Sequence, residues 1–149
     1  MVTVSDRCAA GRREDASGPA AAALLSAAGF AVTRTVVPDG ADSVADALRA
    51  AVAGGARLVV SSGGTGLGPR DLTPEGTLAV LERVVPGIPE LLRSASGKAH
   101  AHLSRGVAGS VGTTFVVNLP GSPGAVTEGL EVLLPLVPHI LHQLEGGDH

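Results

Sequence analysis

The segment VVSSGGTGLGPRDLTPE, residues 59–75, joins an apolar strand directly to a glycine-rich loop and then to a helix start. The strand lacks polar alternation, which predicts burial on both faces, as in a parallel sheet. Glycines at positions 63, 64, 66 and 68 let the backbone approach a ligand, so that successive N–H groups can converge on an anion. Thr73 is predicted to cap the helix, with Pro74 and Glu75 in its first turn.

The same succession of strand and helix occurs on both sides of this segment. Strands are predicted at residues 2–5, 30–37, 57–61 and 113–120, whereas residues 98–112 show no regular pattern. Helices are predicted from Ser17 to Gly29, from an Asp42 or Ser43 cap to Gly54, over residues 86–96, and from Ser122 onward, where Pro135 and Pro138 divide the last helix. This alternation predicts an α/β fold, a three-layer sandwich with a mainly parallel central sheet and helices on both faces. Residues 1–149 have about the usual length of a single domain.

Small or polar residues follow each of the four predicted strands. They are Ser5 and Asp6, Pro38 to Gly40, Ser61 to Asp71, and Asn118 to Pro123. Because parallel α/β sheets bind ligands at the carboxyl ends of their strands, these segments are expected to line one crevice.

Composition excludes several classes of protein. The formal charge of -3 and the scattered basic residues argue against a nucleic-acid partner. The single cysteine, Cys8, excludes an internal disulfide framework and fits a reducing, cytoplasmic environment. No apolar run approaches the ~20 residues of a membrane span, so no membrane association is expected.

Arg70, Asp71 and Asp39 are the candidate charged groups of the crevice. Arg70 is suited to holding a phosphate, and the two aspartates could bind Mg²⁺ together with phosphate oxygens. Simpler interpretations also fit: a glycine-rich turn without a ligand, a surface ion pair between Arg70 and Asp71, and turn or capping roles for each aspartate. The loop matches neither the phosphate-loop pattern nor the dinucleotide fingerprint.

Several strings taken together resemble one family. TVSDRCAAGRREDASGP, VVPD, SSGGTGLGPRDLTPE, LSR and NLPGSPGAV are similar to motifs of the Mog/MoaB-type molybdopterin adenylyltransferases of molybdenum cofactor biosynthesis. The resemblance covers essentially the full chain. It implies transfer of AMP from ATP to molybdopterin with release of pyrophosphate, a requirement for Mg²⁺, and a homotrimer that makes transient contacts with other enzymes of the pathway.

The resemblance also implies roles for individual residues. Asp39 and Asp71 match the catalytic carboxylates that hold the metal. The nucleotide-binding set is Ser62, Gly63, Gly64, Thr65, Gly66 and Arg70. The pterin-binding set is Ser5, Asp6, Ser96, Ser104, Asn118, Pro120, Gly121, Ser122 and Pro123. The sequence departs from the family at residues 38–40, where Pro-Asp-Gly replaces the frequent Pro-Asp-Glu.

Three other functions remain open at this point. A pterin-binding or carrier module would bind the same pterin without consuming ATP. The related molybdate-inserting enzymes are longer multidomain chains, and a generic nucleotide hydrolase would yield no adenylylated pterin. His100, His102, His139 and His142 lack a third metal ligand at suitable spacing, and no general base is evident beside Cys8.

Overall fold

The computed structural model describes residues 1–148, which contain six strands and seven α-helices. The strands are β1 (Val2–Val4), β2 (Thr35–Val37), β3 (Leu58–Ser62), β4 (Arg83–Val84), β5 (Ala108–Val111) and β6 (Thr114–Leu119). The helices are α1 (Asp6–Ala9), α2 (Ser17–Ala27), α3 (Ala41–Ala53), α4 (Thr73–Leu78), α5 (Gly87–Ala95), α6 (Pro123–Leu133) and α7 (Val137–Leu144), with a 3-10 helix at Ala99–Leu103.

The strands form one sheet in the order β2-β1-β3-β6-β5-β4. Strands β2, β1, β3 and β6 are parallel neighbours, whereas β5 is antiparallel to both β6 and β4. The carboxyl ends of four adjacent strands therefore lie at one edge of the sheet. The predicted α/β fold with a mainly parallel sheet is confirmed.

Apolar clusters fill both faces of the sheet. Neighbouring residues of β3 point to opposite sides, so that Val60 packs with α2, α6 and α7, and Val59 packs with α3. Both valines are about 1% exposed. Central strands buried on both sides explain the unbroken apolar run that the sequence shows at this position. Helices on both faces complete the three-layer sandwich.

Several predicted boundaries are wrong. The strand expected over residues 30–37 is limited to Thr35–Val37, because its partner β1 begins at Val2 and leaves residues 30–34 outside the ladder. Strands β4 and β5 were not predicted, since β4 has two residues and β5 is the short, Gly-containing AGSV segment. Strand β5 forms because β6 supplies hydrogen-bonding partners across a turn in which Gly112 has a φ of 52°.

The N-caps of three helices also differ from the prediction. Helices α2, α3 and α4 begin at Ser17, Ala41 and Thr73, and none has a side-chain cap from its N-cap residue. Ser122 does cap α6, because its hydroxyl accepts a hydrogen bond from the Ala125 N–H at 3.2 Å.

Among the described residues, no single helix has both the length and the apolar composition to cross a bilayer. Helices α6 and α7 together would satisfy these two criteria, but they are bent by 62°.

Candidate active site

Asp6 and Asp39 interlock at the carboxyl ends of β1 and β2. The Asp6 N–H donates to Asp39 Oδ2 at 2.8 Å, and the Asp39 N–H donates to Asp6 Oδ1 at 3.1 Å. Arg70 joins this pair through two hydrogen bonds to the Asp6 carboxylate and one to the Asp39 carbonyl oxygen, at 2.8 to 3.1 Å. Arg70 therefore forms its ion pair with Asp6, and not with Asp71 as one of the simpler interpretations of the sequence had it.

The charge on Arg70 shifts the acidity of Asp6. Hydrogen bonding to Arg70 is the main cause that lowers the pKa of Asp6, and the Asp39 N–H lowers the pKa further. In return, Asp6 raises the pKa of Arg70. The edge of the site thus carries an ionised aspartate and a permanently charged arginine that is already partly committed to protein groups.

The glycine-rich loop approaches the neighbouring strand ends so closely that two of its positions exclude a side chain. Gly63 has a φ of 106°, and a Cβ atom there would lie 2.2 Å from the Val4 carbonyl oxygen. Gly64 has a φ of 62°, and its Cβ would lie 2.3 Å from Thr73 Oγ1. Thr73 fixes the turn, because its hydroxyl donates to the Gly63 carbonyl at 2.8 Å and its N–H to the Gly64 carbonyl at 3.0 Å.

Asp71 closes the far end of the loop. Its Oδ2 atom accepts the Gly68 N–H at 2.8 Å, and a Cβ atom at either Gly66 or Gly68 would lie 2.8 Å from that same oxygen. The small size of both glycines makes room for the carboxylate. Within residues 1–148, the Oδ1 atoms of Asp71 and Asp39 accept no hydrogen bond.

Two pockets lie along this edge of the sheet. The strand-end pocket has a volume of about 510 Å³ and is lined by the ends of β1 and β3, the first turns after them and the start of α6. The helix pocket has a volume of about 390 Å³ and lies between α5, the 3-10 helix and α6. Ser122 lines both pockets, so the two spaces adjoin.

The predicted site residues divide between these pockets. Those that line the strand-end pocket are Ser5, Asp6, Asp39, Ser62, Gly63, Gly64, Gly121, Ser122 and Pro123. Those that line the helix pocket are Thr65, Gly66, Ser96, Ser104, Asn118, Pro120 and Ser122. Arg70 and Asp71 line neither pocket in the described part of the chain. The residues predicted to bind nucleotide and those predicted to bind pterin therefore do not occupy separate cavities.

Asn118 has an internal role that the sequence did not indicate. Its Nδ2 atom donates to Ser61 Oγ at 2.8 Å and to Thr77 Oγ1 at 2.9 Å, while its Oδ1 atom accepts the Val107 N–H at 3.1 Å. The side chain is buried and links β6 to β3, to α4 and to the residue before β5. Its polar atoms are thus engaged by the protein itself.

Ser62 is buried as well. Its hydroxyl donates to the Pro120 carbonyl at 3.0 Å and thereby joins the end of β3 to the segment after β6.

Arg105 is a residue of the site that sequence reasoning missed. Its guanidinium donates to the carbonyl oxygens of Gly66 and Asp71 and to the Glu75 carboxylate. The pair raises the pKa of Arg105 and, chiefly through the hydrogen bond, lowers the pKa of Glu75. The only signal in the sequence was its position after Ser104 in the string LSR, because its partners lie 30 to 39 residues away.

No group of three or more His, Cys, Asp or Glu side chains that could hold a metal ion occurs in the part of the chain that the structure describes. The chain offers carboxylate oxygens for a hard cation at Asp39 and Asp71, without a complete set of protein ligands.

Together, the fold and the site define an α/β domain with two adjoining pockets at the carboxyl edge of a mainly parallel sheet. A family profile described as "Probable molybdopterin binding domain" matches residues 1–139. This chain belongs to that family.

Individual relatives agree with this assignment. A molybdenum cofactor biosynthesis bifunctional protein of Synechococcus elongatus is 45% identical over 100% of this chain and 48% of its own length. A molybdopterin adenylyltransferase of Pyrococcus furiosus is 38% identical over 95% of this chain and 87% of its own length. The structure of a molybdopterin biosynthesis protein from Mycobacterium abscessus is 45% identical, with a TM-score of 0.91 over 97% of this chain and 94% of that chain. The chain spans about half the length of the bifunctional relatives that it matches.

Proposed function

We propose that this chain transfers AMP from ATP to the terminal phosphate of molybdopterin and releases pyrophosphate. The observation that carries the proposal is the pair of adjoining pockets that meet at Ser122, beside a glycine-rich loop and the Asp6–Asp39 pair. Two substrates between which an adenylyl group is transferred need adjacent spaces with backbone N–H groups near their junction. Relatives named molybdopterin adenylyltransferase support the same reaction.

We assign the ATP phosphates to the strand-end pocket. Its lining includes the positive-φ glycines of the loop, Arg7, Arg13 and the Ser122 start of the eleven-residue helix α6. Such groups favour anions. The pterin is assigned to the helix pocket, where Leu92, Leu103 and Val132 provide apolar surface next to Ser96 and Ser104. This division moves four residues of the predicted pterin set to the nucleotide side, namely Ser5, Asp6, Gly121 and Pro123. It moves Thr65 and Gly66 of the predicted nucleotide set to the pterin side.

Mg²⁺ fits the donor chemistry of the site. Asp39 and Asp71 each have one carboxylate oxygen that accepts no hydrogen bond from residues 1–148, and oxygen donors are the ligands that Mg²⁺ prefers. Mg²⁺ is commonly held by one or two carboxylates together with substrate phosphates, so a complete protein cage is not required. We infer that these two aspartates would hold the ion, which would neutralise charge that develops on the phosphate oxygens.

The chain's own groups would act by positioning and by charge. A terminal phosphate oxygen of molybdopterin forms a bond to the α-phosphorus of ATP, and the bond from that phosphorus to the bridging oxygen of pyrophosphate breaks. The attacking phosphate is already ionised, so neither aspartate needs to remove a proton. Loop N–H groups would bind the phosphate oxygens and keep the two substrates in line.

An assay of pyrophosphate release tests the proposal against the carrier alternative. The purified chain should release one pyrophosphate for each adenylylated pterin formed, and only when ATP, Mg²⁺ and molybdopterin are all present. Binding of molybdopterin without ATP-dependent pyrophosphate release would identify a carrier. Release of phosphate or pyrophosphate without an adenylylated pterin would identify a nucleotide hydrolase.

We further propose that the chain forms a homotrimer. Support comes from apolar side chains on and next to the edge strand β4, with Val84 52% exposed and Val85 38% exposed. Exposed apolar residues that lie together favour association with other chains. Light scattering coupled to size-exclusion chromatography should give three times the chain mass of 14.7 kDa. A measured mass equal to that of one chain at all micromolar concentrations would contradict the proposed trimer.

A further inference from the structure

We propose that Arg105 is a positioning residue that holds residues 65–71, the second part of the glycine-rich loop, in their working conformation without contacting either substrate. The catalytic consequence of this role rests on the proposed function, whereas the effect on the loop does not.

Arg105 forms hydrogen bonds with both ends of this loop segment. Its backbone N–H donates to the Thr65 carbonyl at 2.9 Å, and its Nε atom donates to the Gly66 carbonyl at 2.8 Å. At the other end, its Nη2 atom donates to the Asp71 carbonyl. The chain between these anchors contains two glycines, whose backbone freedom makes an unanchored loop costly to order.

Glu75 orients the guanidinium. Its Oε1 atom accepts from Nη1, and its Oε2 atom lies 3.4 Å from Nη2. Glu75 belongs to the first turn of α4, which begins directly after the loop. The planar fork of arginine can serve two carbonyls and a carboxylate at once, whereas the single ammonium group of lysine cannot reproduce that arrangement.

The position of Arg105 favours action through the loop. Arg105 lines neither the strand-end pocket nor the helix pocket but a third pocket beside β4 and α5, whereas Thr65 and Gly66, whose carbonyls it binds, line the helix pocket. The loop also carries Asp71, whose carboxylate binds the Gly68 N–H. Loss of the guanidinium would release the Asp71 backbone and allow its carboxylate to move, and small displacements of catalytic groups cost about 10²-fold in rate.

The test compares Arg105→Ala and Arg105→Lys with Arg49→Ala. Within residues 1–148, the Arg49 guanidinium makes only an exposed ion pair with Asp46 on α3. Hydrogen exchange, followed by mass spectrometry on the ligand-free chain, reports the loop amides at Gly68 and Asp71. Pyrophosphate release measured with ATP, Mg²⁺ and molybdopterin reports kcat and KM separately.

We expect Arg105→Ala to speed exchange of the loop amides by about 10- to 100-fold, the effect of losing hydrogen bonds to a charged group. The kcat should fall about 10²-fold with a smaller change in KM. Arg105→Lys should be intermediate, and Arg49→Ala should match the wild type. Millimolar methylguanidinium should restore both loop protection and rate in Arg105→Ala.

Unchanged loop exchange in Arg105→Ala would overturn the proposal, and so would a loss of rate with loop protection intact, because the arginine would then act on substrate directly. Faster loop exchange in the variant, together with an inactive wild type, would support the positioning role and refute the proposed function. If Arg105→Ala does not fold, Glu75→Gln removes the orienting charge and leaves Arg105 in place, and unaltered loop exchange in that variant would likewise overturn the proposal.

Discussion

Asp39 and Asp71 each use one carboxylate oxygen to bind a backbone N–H, and the other oxygen accepts no hydrogen bond from residues 1–148. The Asp39 Oδ2 atom accepts from Asp6, and the Asp71 Oδ2 atom accepts from Gly68, both at 2.8 Å. Backbone donors hold each carboxylate in place without neutralising its charge. This arrangement suits a residue whose task is to present a negative oxygen to a cation that arrives with its substrate.

The substitution Asp71→Asn removes the negative charge of this residue and keeps its hydrogen bond with the Gly68 N–H. An asparagine oxygen can still accept the Gly68 N–H, so the loop and the thermal stability should be preserved, whereas the rate of adenylylation should fall by about 10²- to 10³-fold. Steady-state pyrophosphate release and a thermal unfolding curve provide the measurement. Asp46→Asn, which affects only an exposed pair on α3, is the matched control. A variant that keeps the wild-type rate would remove Asp71 from the site.

The Asp6–Arg70 pair makes the stability of the folded chain depend on pH. The pKa of Asp6 is lowered in the folded chain, mainly by its hydrogen bonds with Arg70. The pair therefore contributes to stability above the ordinary aspartate value of about 3.9, and this contribution is lost as the pH falls through the lower folded value. Urea unfolding should show Asp6→Asn less stable than the wild type at pH 7, with the difference shrinking toward pH 2. A difference that is independent of pH would contradict this assignment.

At the scale of elements, the turn from β3 into the loop depends on the absence of side chains. Gly63 combines a φ of 106° with a backbone neighbour that would be 2.2 Å from an added Cβ. The neighbour is the Val4 carbonyl of the adjacent strand, which cannot swing aside as a flexible side chain could. The segment after β6 is equally close, since a Cβ at Gly121 would be 3.2 Å from Gly63 Cα.

Gly63→Ala should therefore destabilise the fold and the site together. Backbone strain and the overlap with Val4 each cost about 1 kcal/mol or more, which gives a loss of at least about 2 kcal/mol in the free energy of unfolding. Gly87→Ala is the control, because Gly87 begins α5 with no positive φ and no atom within 4 Å of the added Cβ. Chemical denaturation of both variants is the measurement. Equal stability of the two variants would contradict the prediction, because the turn after β3 would then accommodate a side chain at position 63.

Elements that carry their own pattern were predictable, and elements that depend on a partner were not. The buried run of β3 and the Ser122–Pro123 start of α6 are local signals, and both are confirmed. Strand β5, in contrast, forms from small residues because it pairs with β6. The same distinction separates the glycines of the loop, visible in the sequence, from Arg105, whose role arises only when the chain folds.

At the scale of the whole molecule, the site is a consequence of strand order. Parallel pairing of β2, β1, β3 and β6 places four carboxyl ends side by side and brings Asp6, Asp39 and the glycine-rich loop together, although they lie in different parts of the sequence. The prediction of one shared crevice was too simple. Two adjoining pockets occupy the edge, and the loop contributes to both.

The most direct test of this account is a crystal structure of the chain with Mg²⁺ and α,β-methylene ATP, a nucleotide whose α–β bond cannot be cleaved by the transfer. We predict that its phosphates lie in the strand-end pocket against the N–H groups of Gly63 and Gly64, with Asp39 at the metal. Phosphates bound away from that loop, or a metal held without Asp39 and Asp71, would contradict the proposed site.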